Sequence, residues 1–206
     1  MGSAKRAKTG RKRTARRSAV SAPRKAGDLW VFGYGSLMWH PGFEFAERAP
    51  ARLSGYHRAF CVFSHRYRGT KDRPGLVLGL RPGGCCGGVA YRVARAARPA
   101  VMAYLTEREM LGKVYRERFL PVTLEDGRRV AALAYVVDRA HPNYAGRLTA
   151  ARTAQMLAEA KGERGASLDY LVNTVRHLEA LGIENGPMHK LLALIEMRRG
   201  RVGRPK

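Results

Sequence analysis

Trp30-Val31-Phe32-Gly33-Tyr34-Gly35-Ser36-Leu37-Met38-Trp39 is the stretch from which the rest of this chain is read. Trp30 to Phe32 are bulky and predict a short buried strand. Gly33 and Gly35 then free the backbone to turn and expose its N–H groups. A strand that opens into such a turn can cradle an anion with main-chain donors; the plainer alternative is a tight turn with no ligand. Three sharper motifs are excluded. A dinucleotide fingerprint needs a third glycine where Met38 stands, and a P-loop needs a Gly-Lys-Ser/Thr step that is absent. A hydrolase nucleophile elbow needs glycines two before and two after Ser36, where Tyr34 and Met38 stand.

Downstream, Arg52 to Ser64 reads as a long strand with a kink at Gly55, Leu76 to Leu80 as a short strand, and Cys85 to Val93 as another. Gly87-Gly88 marks a bulge or a close backbone approach. Pro99 sits in the first turn of a helix that continues over Val101 to Met110. Within it Val101, Leu105 and Glu109 are spaced i, i+4, i+8 and share one face. That face is apolar except for Glu109, and a glutamate is rarely buried unless paired. It is either a functional carboxylate or a helix-end glutamate paired to an arginine. Glu107 lies on the opposite face, toward water. Tyr115 to Leu124 and Arg129 to Val137 read as two strands joined by a Glu125-Asp126-Gly127 turn. The remainder is helical, with Thr149 and Ser167 as N-caps, Gly182 as a stop, and a last helix over Pro187 to Met197. Strands first and helices later predict an α+β fold with an antiparallel or mixed sheet.

The chain has 206 residues, 45 % of them hydrophobic, and a net charge of +23. That is enough for one domain with a real core. Ten Lys/Arg and no acid lie in Met1 to Gly27, and five more in Arg198 to Lys206, so removing those fifteen from +23 leaves +8 for the middle. Residues 1–27 have no apolar periodicity and are expected to be a disordered basic tail. Such a tail could touch nucleic acid, non-specifically and with strong salt dependence, but it has no aromatic residue to stack on bases. Cys61, Cys85 and Cys86 make neither a disulfide framework nor a metal motif, and read as core residues in a reducing cytoplasm. No run is long enough to span a membrane.

Several motifs in register, WVFGYGSLMW, GYHRAFC, GVAYRV, REM, HPNY, YLVNT and LGI, closely resemble the ChaC family of glutathione-specific gamma-glutamylcyclotransferases. The likeness covers Asp28 to Glu196. It implies the gamma-glutamylcyclotransferase-like fold, α+β, a mixed sheet forming a partial barrel with surrounding helices. It also implies a catalytic domain over 28–197 between the basic tails 1–27 and 198–206. The family's catalytic glutamate falls on Glu109. The substrate loop falls on Val31, Phe32, Gly33, Tyr34, Gly35, Ser36 and Leu37, and a further substrate-facing tyrosine on Tyr144. No cofactor and no metal are implied.

The implied reaction is an internal aminolysis of reduced glutathione that yields 5-oxoproline and cysteinylglycine. The attacking amine is tethered to the carbonyl it attacks, so the enzyme needs to fix a rotamer and move protons. A carboxylate with a raised pKa suits that task, and the Gly33–Leu37 N–H groups suit the substrate's α-carboxylate. Gly35 is expected to need a positive φ or a close approach of substrate to its backbone. The alternatives are the same fold acting on other gamma-glutamyl peptides or amines, and a basic nucleic-acid-binding protein. The oligomeric state is not legible at this level.

Overall fold

The first strand, β1 (Leu29–Gly33), is apolar on both faces, and the fold covers both. In the computed structural model, which describes residues 27–110, 112–183 and 186–202, β1 is the staple of a closed barrel. It runs antiparallel to β3 (Gly75–Val93), from Leu29 opposite Val93 to Gly33 opposite Val89. On its other side it runs parallel to β5 (Arg129–Val137) through Trp30 and Val31. β2 (Glu47–Ser64) pairs with β3, and β4 (Tyr115–Leu124) joins β2 to β5, so the order around the barrel is β1-β3-β2-β4-β5. The basic tail predicted for 1–27 lies, apart from Gly27, outside the described residues, as do residues 203–206 of the C-terminal one.

Successive residues of β1 point to opposite sides. Leu29 and Val31 join Leu37, Val93, Leu133 and Tyr135 in one apolar cluster, into which α1 (Arg98–Met110) inserts Val101 and Leu105. Phe32 faces the larger cluster with Met38, Phe60 and Leu78, which α2 (Ala150–Glu159), α3 (Ser167–Ala180) and α4 (Gly186–Val202) complete through Leu157, Leu171 and Ile195. Between α2 and α3 the chain makes a small hairpin, β6 (Lys161–Gly162) with β7 (Gly165–Ala166).

The β4–β5 hairpin has the predicted bounds, and Thr149 caps α2 by accepting from the Arg152 N–H at 3.2 Å. Four elements differ from expectation. The strands predicted over Leu76–Leu80 and Cys85–Val93 are one continuous strand, because Gly83 and Gly84 bulge with positive φ opposite Gly55 and pairing resumes on both sides. The predicted kink at Gly55 is the other half of that bulge, and β2 starts at Glu47, five residues earlier than Arg52. Cys85 is exposed beside the bulge, whereas Cys61 and Cys86 are buried. The last helix runs on to Val202.

Ser167 is also not the N-cap, a position that Ala166 holds; it is the first helical residue and is fully buried. Its hydroxyl donates to the Arg68 carbonyl at 2.9 Å and accepts the Leu76 N–H at 3.3 Å, so it sews the 65–74 loop to α3. Replacing it by alanine strands both backbone groups in the interior. Ser167→Ala is expected to cost about 1–3 kcal/mol, the usual penalty for such groups. A urea midpoint equal to that of the wild type would show that the loop is held by other means.

Candidate active site

Glu109 ends the stripe that Val101 and Leu105 begin. Those two are 5 % and 0 % exposed, while the Glu109 side chain retains 18 % of its exposure; Glu107 faces water. Burial pushes the Glu109 carboxyl above its ordinary pKa, and Arg108 and then Arg164 pull it part of the way back. The carboxylate looks onto a set of tyrosines. Tyr34, Tyr115 and Tyr170 are buried deeply enough to raise their own pKa values, and the Glu109 charge raises each further. Two are locked: Tyr34 Oη donates to the Tyr135 carbonyl at 2.8 Å, and Tyr115 Oη to the Leu78 carbonyl at 2.7 Å.

Arg108 binds the helix end to the glycine turn. Its Nε lies 3.1 Å from Glu109 Oε1. Its Nη1 donates to the His40 and Pro41 carbonyls at 2.7 and 3.0 Å and to Tyr104 Oη at 2.8 Å. Its Nη2 donates to Ser36 Oγ at 3.1 Å. The planar fork of an arginine allows this division of donors, which a lysine cannot reproduce. The reading of Glu109 as a helix-end glutamate paired to an arginine therefore describes a contact that is present. It omits the balance, because desolvation of the carboxylate outweighs the attraction of Arg108.

Residues Ser36–Met38 form a single tight helical turn, in which the Met38 N–H bonds the Gly35 carbonyl at 2.8 Å and the His40 N–H the Ser36 carbonyl at 2.9 Å. The N–H groups of Gly35 and Leu37 have no acceptor among the described residues. Gly35 does not need a positive φ, since its φ is −130°. It needs to be glycine because a Cβ there would stand 2.6 Å from Tyr170 Oη. The close approach is thus made by the protein's own tyrosine, whose hydroxyl also meets the Ser36 backbone N–H. Behind the turn the buried Arg58 guanidinium reaches the Gly87 carbonyl and lies 3.8 Å from Met38 Sδ, with Nε and Nη1 unpaired among the described residues.

The predicted substrate stretch divides into two parts. The side chains of Val31, Phe32, Tyr34 and Leu37 are core, and what they offer a ligand is placement of the main chain. Gly33 lets that chain fold back, since a Cβ there would meet Leu37 Cβ at 3.0 Å. The Gly35–Leu37 main chain and the Ser36 hydroxyl are the groups positioned beside Arg108. Tyr144 bridges Val62 through its backbone and packs on the Cys61, Val62, Val114 and Val137 cluster that Tyr115 also flanks. Sequence reasoning missed Arg108, Tyr115 and Tyr170 as site residues; the available signal was a tyrosine hydroxyl at an otherwise apolar position, as at Tyr170 in α3. Among the described residues no group of three or more His, Cys, Asp or Glu side chains is placed to hold a metal ion.

A closed mixed barrel with a glycine turn facing a glutamate at a helix end is the gamma-glutamylcyclotransferase-like fold. The crystal structure of a yeast gamma-glutamyl cyclotransferase specific to glutathione matches it with a TM-score of 0.77, over 83 % of this chain and 96 % of that one, at 23 % identity. The chain belongs to the ChaC-like protein family, whose family model matches residues 29–199. Its sequence is 37 % identical over 170 residues to the glutathione-specific gamma-glutamylcyclotransferase of Escherichia coli K12, covering 82 % of this chain and 74 % of the relative. It is 32 % identical to human glutathione-specific gamma-glutamylcyclotransferase 1, over 84 % of this chain and 81 % of that one. It is 30 % identical to the Schizosaccharomyces pombe glutathione-specific enzyme, over 84 % and 94 % of the two chains.

The contact between Gly35 and Tyr170 gives a specific expectation. Gly35→Ala should lower stability by about 1–3 kcal/mol, as overpacking does, and should lower activity with it. Tyr170→Phe removes the clashing oxygen, leaving atoms no nearer than 3.7 Å. Adding Gly35→Ala to Tyr170→Phe should therefore cost much less than adding it to the wild type. Equal melting-temperature losses in the two backgrounds would show that the methyl is resisted by something else.

Proposed function

We propose that this protein cleaves the gamma-glutamyl bond of reduced glutathione by intramolecular cyclisation, releasing 5-oxoproline and cysteinylglycine, with Glu109 as the proton carrier. The observation that carries this reading is a carboxylate desolvated enough to have a raised pKa, anchored by Arg108 to a turn whose Gly35 and Leu37 N–H groups are available. The names of the curated relatives support the choice of substrate.

The chemistry follows from these groups. The α-carboxylate of the gamma-glutamyl unit is held by the turn, which fixes the α-amine against the γ-carbonyl of the same residue. Ionised Glu109 takes a proton from the α-ammonium. The freed nitrogen attacks the γ-carbon, a C–N bond forms, and negative charge develops on the carbonyl oxygen near the Ser36 hydroxyl and turn N–H groups. Collapse of that intermediate breaks the bond to the cysteinyl nitrogen, which receives the first proton from Glu109. The ring nitrogen, still carrying two hydrogens, gives one up to the freed carboxylate, and this second proton passes to the departing amine. The products are the neutral lactam and the ammonium form of cysteinylglycine. One carboxyl thus acts as base and then as acid, and a pKa lifted toward neutrality suits both roles. The net charge of +23 favours the approach of an anionic tripeptide.

Within this proposal the protein works in the cytoplasm, where its substrate is reduced. Its three cysteines are free, and no helix among the described residues is long and apolar enough to cross a membrane. Incubation of the purified protein with reduced glutathione should give 5-oxoproline and cysteinylglycine in equal amounts. Folded protein that yields neither would overturn the reading.

Two further outcomes test the role of Glu109. General acid–base groups are worth about 10²–10⁴-fold in rate, so Glu109→Gln should lose at least that much turnover and keep its affinity, while Glu107→Gln stays near wild type. A group whose folded pKa is raised contributes full stability below its unfolded pKa and loses it as pH rises through the folded one. Neutralising Glu109 therefore removes a cost at pH 7, and Glu109→Gln should melt no lower than wild type. Arg108 is not stranded by the change, since four other acceptors hold it. A lower melting temperature with proportionate activity loss would mark Glu109 as a structural partner only. In the wild type, kcat/KM should fall as pH drops through a value above the ordinary glutamate pKa of about 4.3, because the base form is lost.

A further inference from the structure

Beside the ring of Tyr170, the 66–68 segment and the β6–β7 hairpin bring two arginines together. The β6–β7 hairpin docks on the 66–68 segment through backbone bonds from the Glu163 N–H to the Arg66 carbonyl and from the Arg164 N–H to the Tyr67 carbonyl, both 2.9 Å. The fit is tight, since a Cβ on Gly162 would lie 2.4 Å from the Arg66 carbonyl oxygen. Docking stacks the Arg164 guanidinium over the Tyr67 ring, 4.2 Å from its centroid. Arg68 is half-buried, donates from Nη1 to the Ala166 carbonyl at 3.1 Å, and lies over the Tyr170 ring at 5.3 Å. Tyr170 is the residue whose hydroxyl touches the turn at Gly35.

Unpaired arginines are ordinary in a chain with 39 Lys/Arg and 16 Asp/Glu. The placement of these two is the informative part. Arg66, Arg92, Arg116 and Arg128 all reach carboxylates, whereas neither Arg68 nor Arg164 forms an ion pair among the described residues, although Asp169 lies near Arg68. Each also adds to the other's unfavourable field, and the field of Arg164 reaches Glu109. Two like charges fixed side by side next to a site are relieved by an anion between them.

We propose that Arg164, with Arg68 beside it, forms a second carboxylate subsite that takes the terminal glycine carboxylate of the substrate tripeptide. This rests on the cyclotransferase reading above. The α-carboxylate, amine and γ-carbonyl all belong to one glutamyl unit and must gather between Glu109 and the turn. The other carboxylate lies two residues further on, roughly 7 Å of extended chain at about 3.5 Å per residue. Arg68 lies over the ring of Tyr170, whose hydroxyl touches the turn at Gly35, and in this proposal the substrate's extension runs past that ring to the arginine pair. The subsite would favour a gamma-glutamyl tripeptide over gamma-glutamyl amines or single amino acids, which lack a carboxylate at that reach. Arg164 acts on binding and takes no part in the proton transfers.

The test compares reduced glutathione with its analogue carrying a terminal glycinamide, on wild type, Arg164→Gln and Arg164→Lys. Arg164 is exposed, so the variants are expected to fold. A charged hydrogen bond lost at this position corresponds to roughly a tenfold change. The expected result is a KM for glutathione raised about tenfold in Arg164→Gln with kcat within about twofold. Wild type should disfavour the amide by a similar factor, Arg164→Gln should not discriminate, and Arg164→Lys should recover part of the preference. An unaltered KM in Arg164→Gln, or undiminished discrimination against the amide, overturns the subsite. If wild type forms no 5-oxoproline from glutathione, the cyclotransferase reading fails by itself. Calorimetric titration of the two ligands into wild type and Arg164→Gln then still decides the subsite, which equal affinities would overturn.

Discussion

Burial of a carboxylate normally conflicts with keeping it in place, and the Arg108 guanidinium reconciles the two. The three nitrogens of one planar group serve five acceptors: Nε meets Glu109, Nη2 meets Ser36, and Nη1 is shared among Tyr104 and the carbonyls of His40 and Pro41. A partner that gave all its donors to the carboxylate would hold the proton affinity of Glu109 down. Arg108 gives it a single contact and spends the others on Tyr104 of the same helix and on the turn and the loop after it, so the carboxyl stays anchored while desolvation still raises its pKa. The end of α1 and the turn after β1 thereby move as one unit.

The barrel supplies the frame for that unit. Parallel pairing of β1 with β5 and antiparallel pairing with β3 fix the strand from both sides, so the chain leaves Gly33 in one direction. Tyr34 and Tyr115 then spend their hydroxyls on carbonyls of β5 and β3, which satisfies two buried polar groups and leaves rigid walls around Glu109. Tyr170 comes from α3 and presses on Gly35 itself. Three elements distant in sequence therefore meet at one turn, and the glycine at position 35 is dictated by the last of them.

Charge is distributed on the same plan. Fifteen of the basic residues lie in the two predicted tails, and the folded part keeps a moderate excess. On the barrel Arg92 and Arg128 share Glu47, and Arg116 reaches Asp138. Beside Tyr170, Arg68 and Arg164 lie over tyrosine rings instead, which holds a guanidinium in place without an ion pair. The positive field of Arg164 reaches Glu109, yet desolvation still leaves that carboxyl above its ordinary pKa.

Whatever depends on neighbours in sequence was legible in the sequence. The Asp126-Gly127 step gave the β4–β5 hairpin its bounds, Thr149 its cap, and the i, i+4, i+8 spacing the face on which Glu109 stands with Val101 and Leu105. The motifs in register gave the family. Features that need a partner from elsewhere in the chain were not. Pro82-Gly83-Gly84 reads as a strand break until β2 is alongside with its own bulge at Gly55. Ser167 reads as a cap until the loop at Arg68 needs its hydroxyl. Gly35 reads as a residue with a special φ, when the constraint is the steric reach of Tyr170 from 135 residues away. Local patterns encode backbone preference and facing, which are short-range properties; the occupants of the space beside a residue are decided by closure of the barrel and docking of the helices, which only the tertiary fold contains.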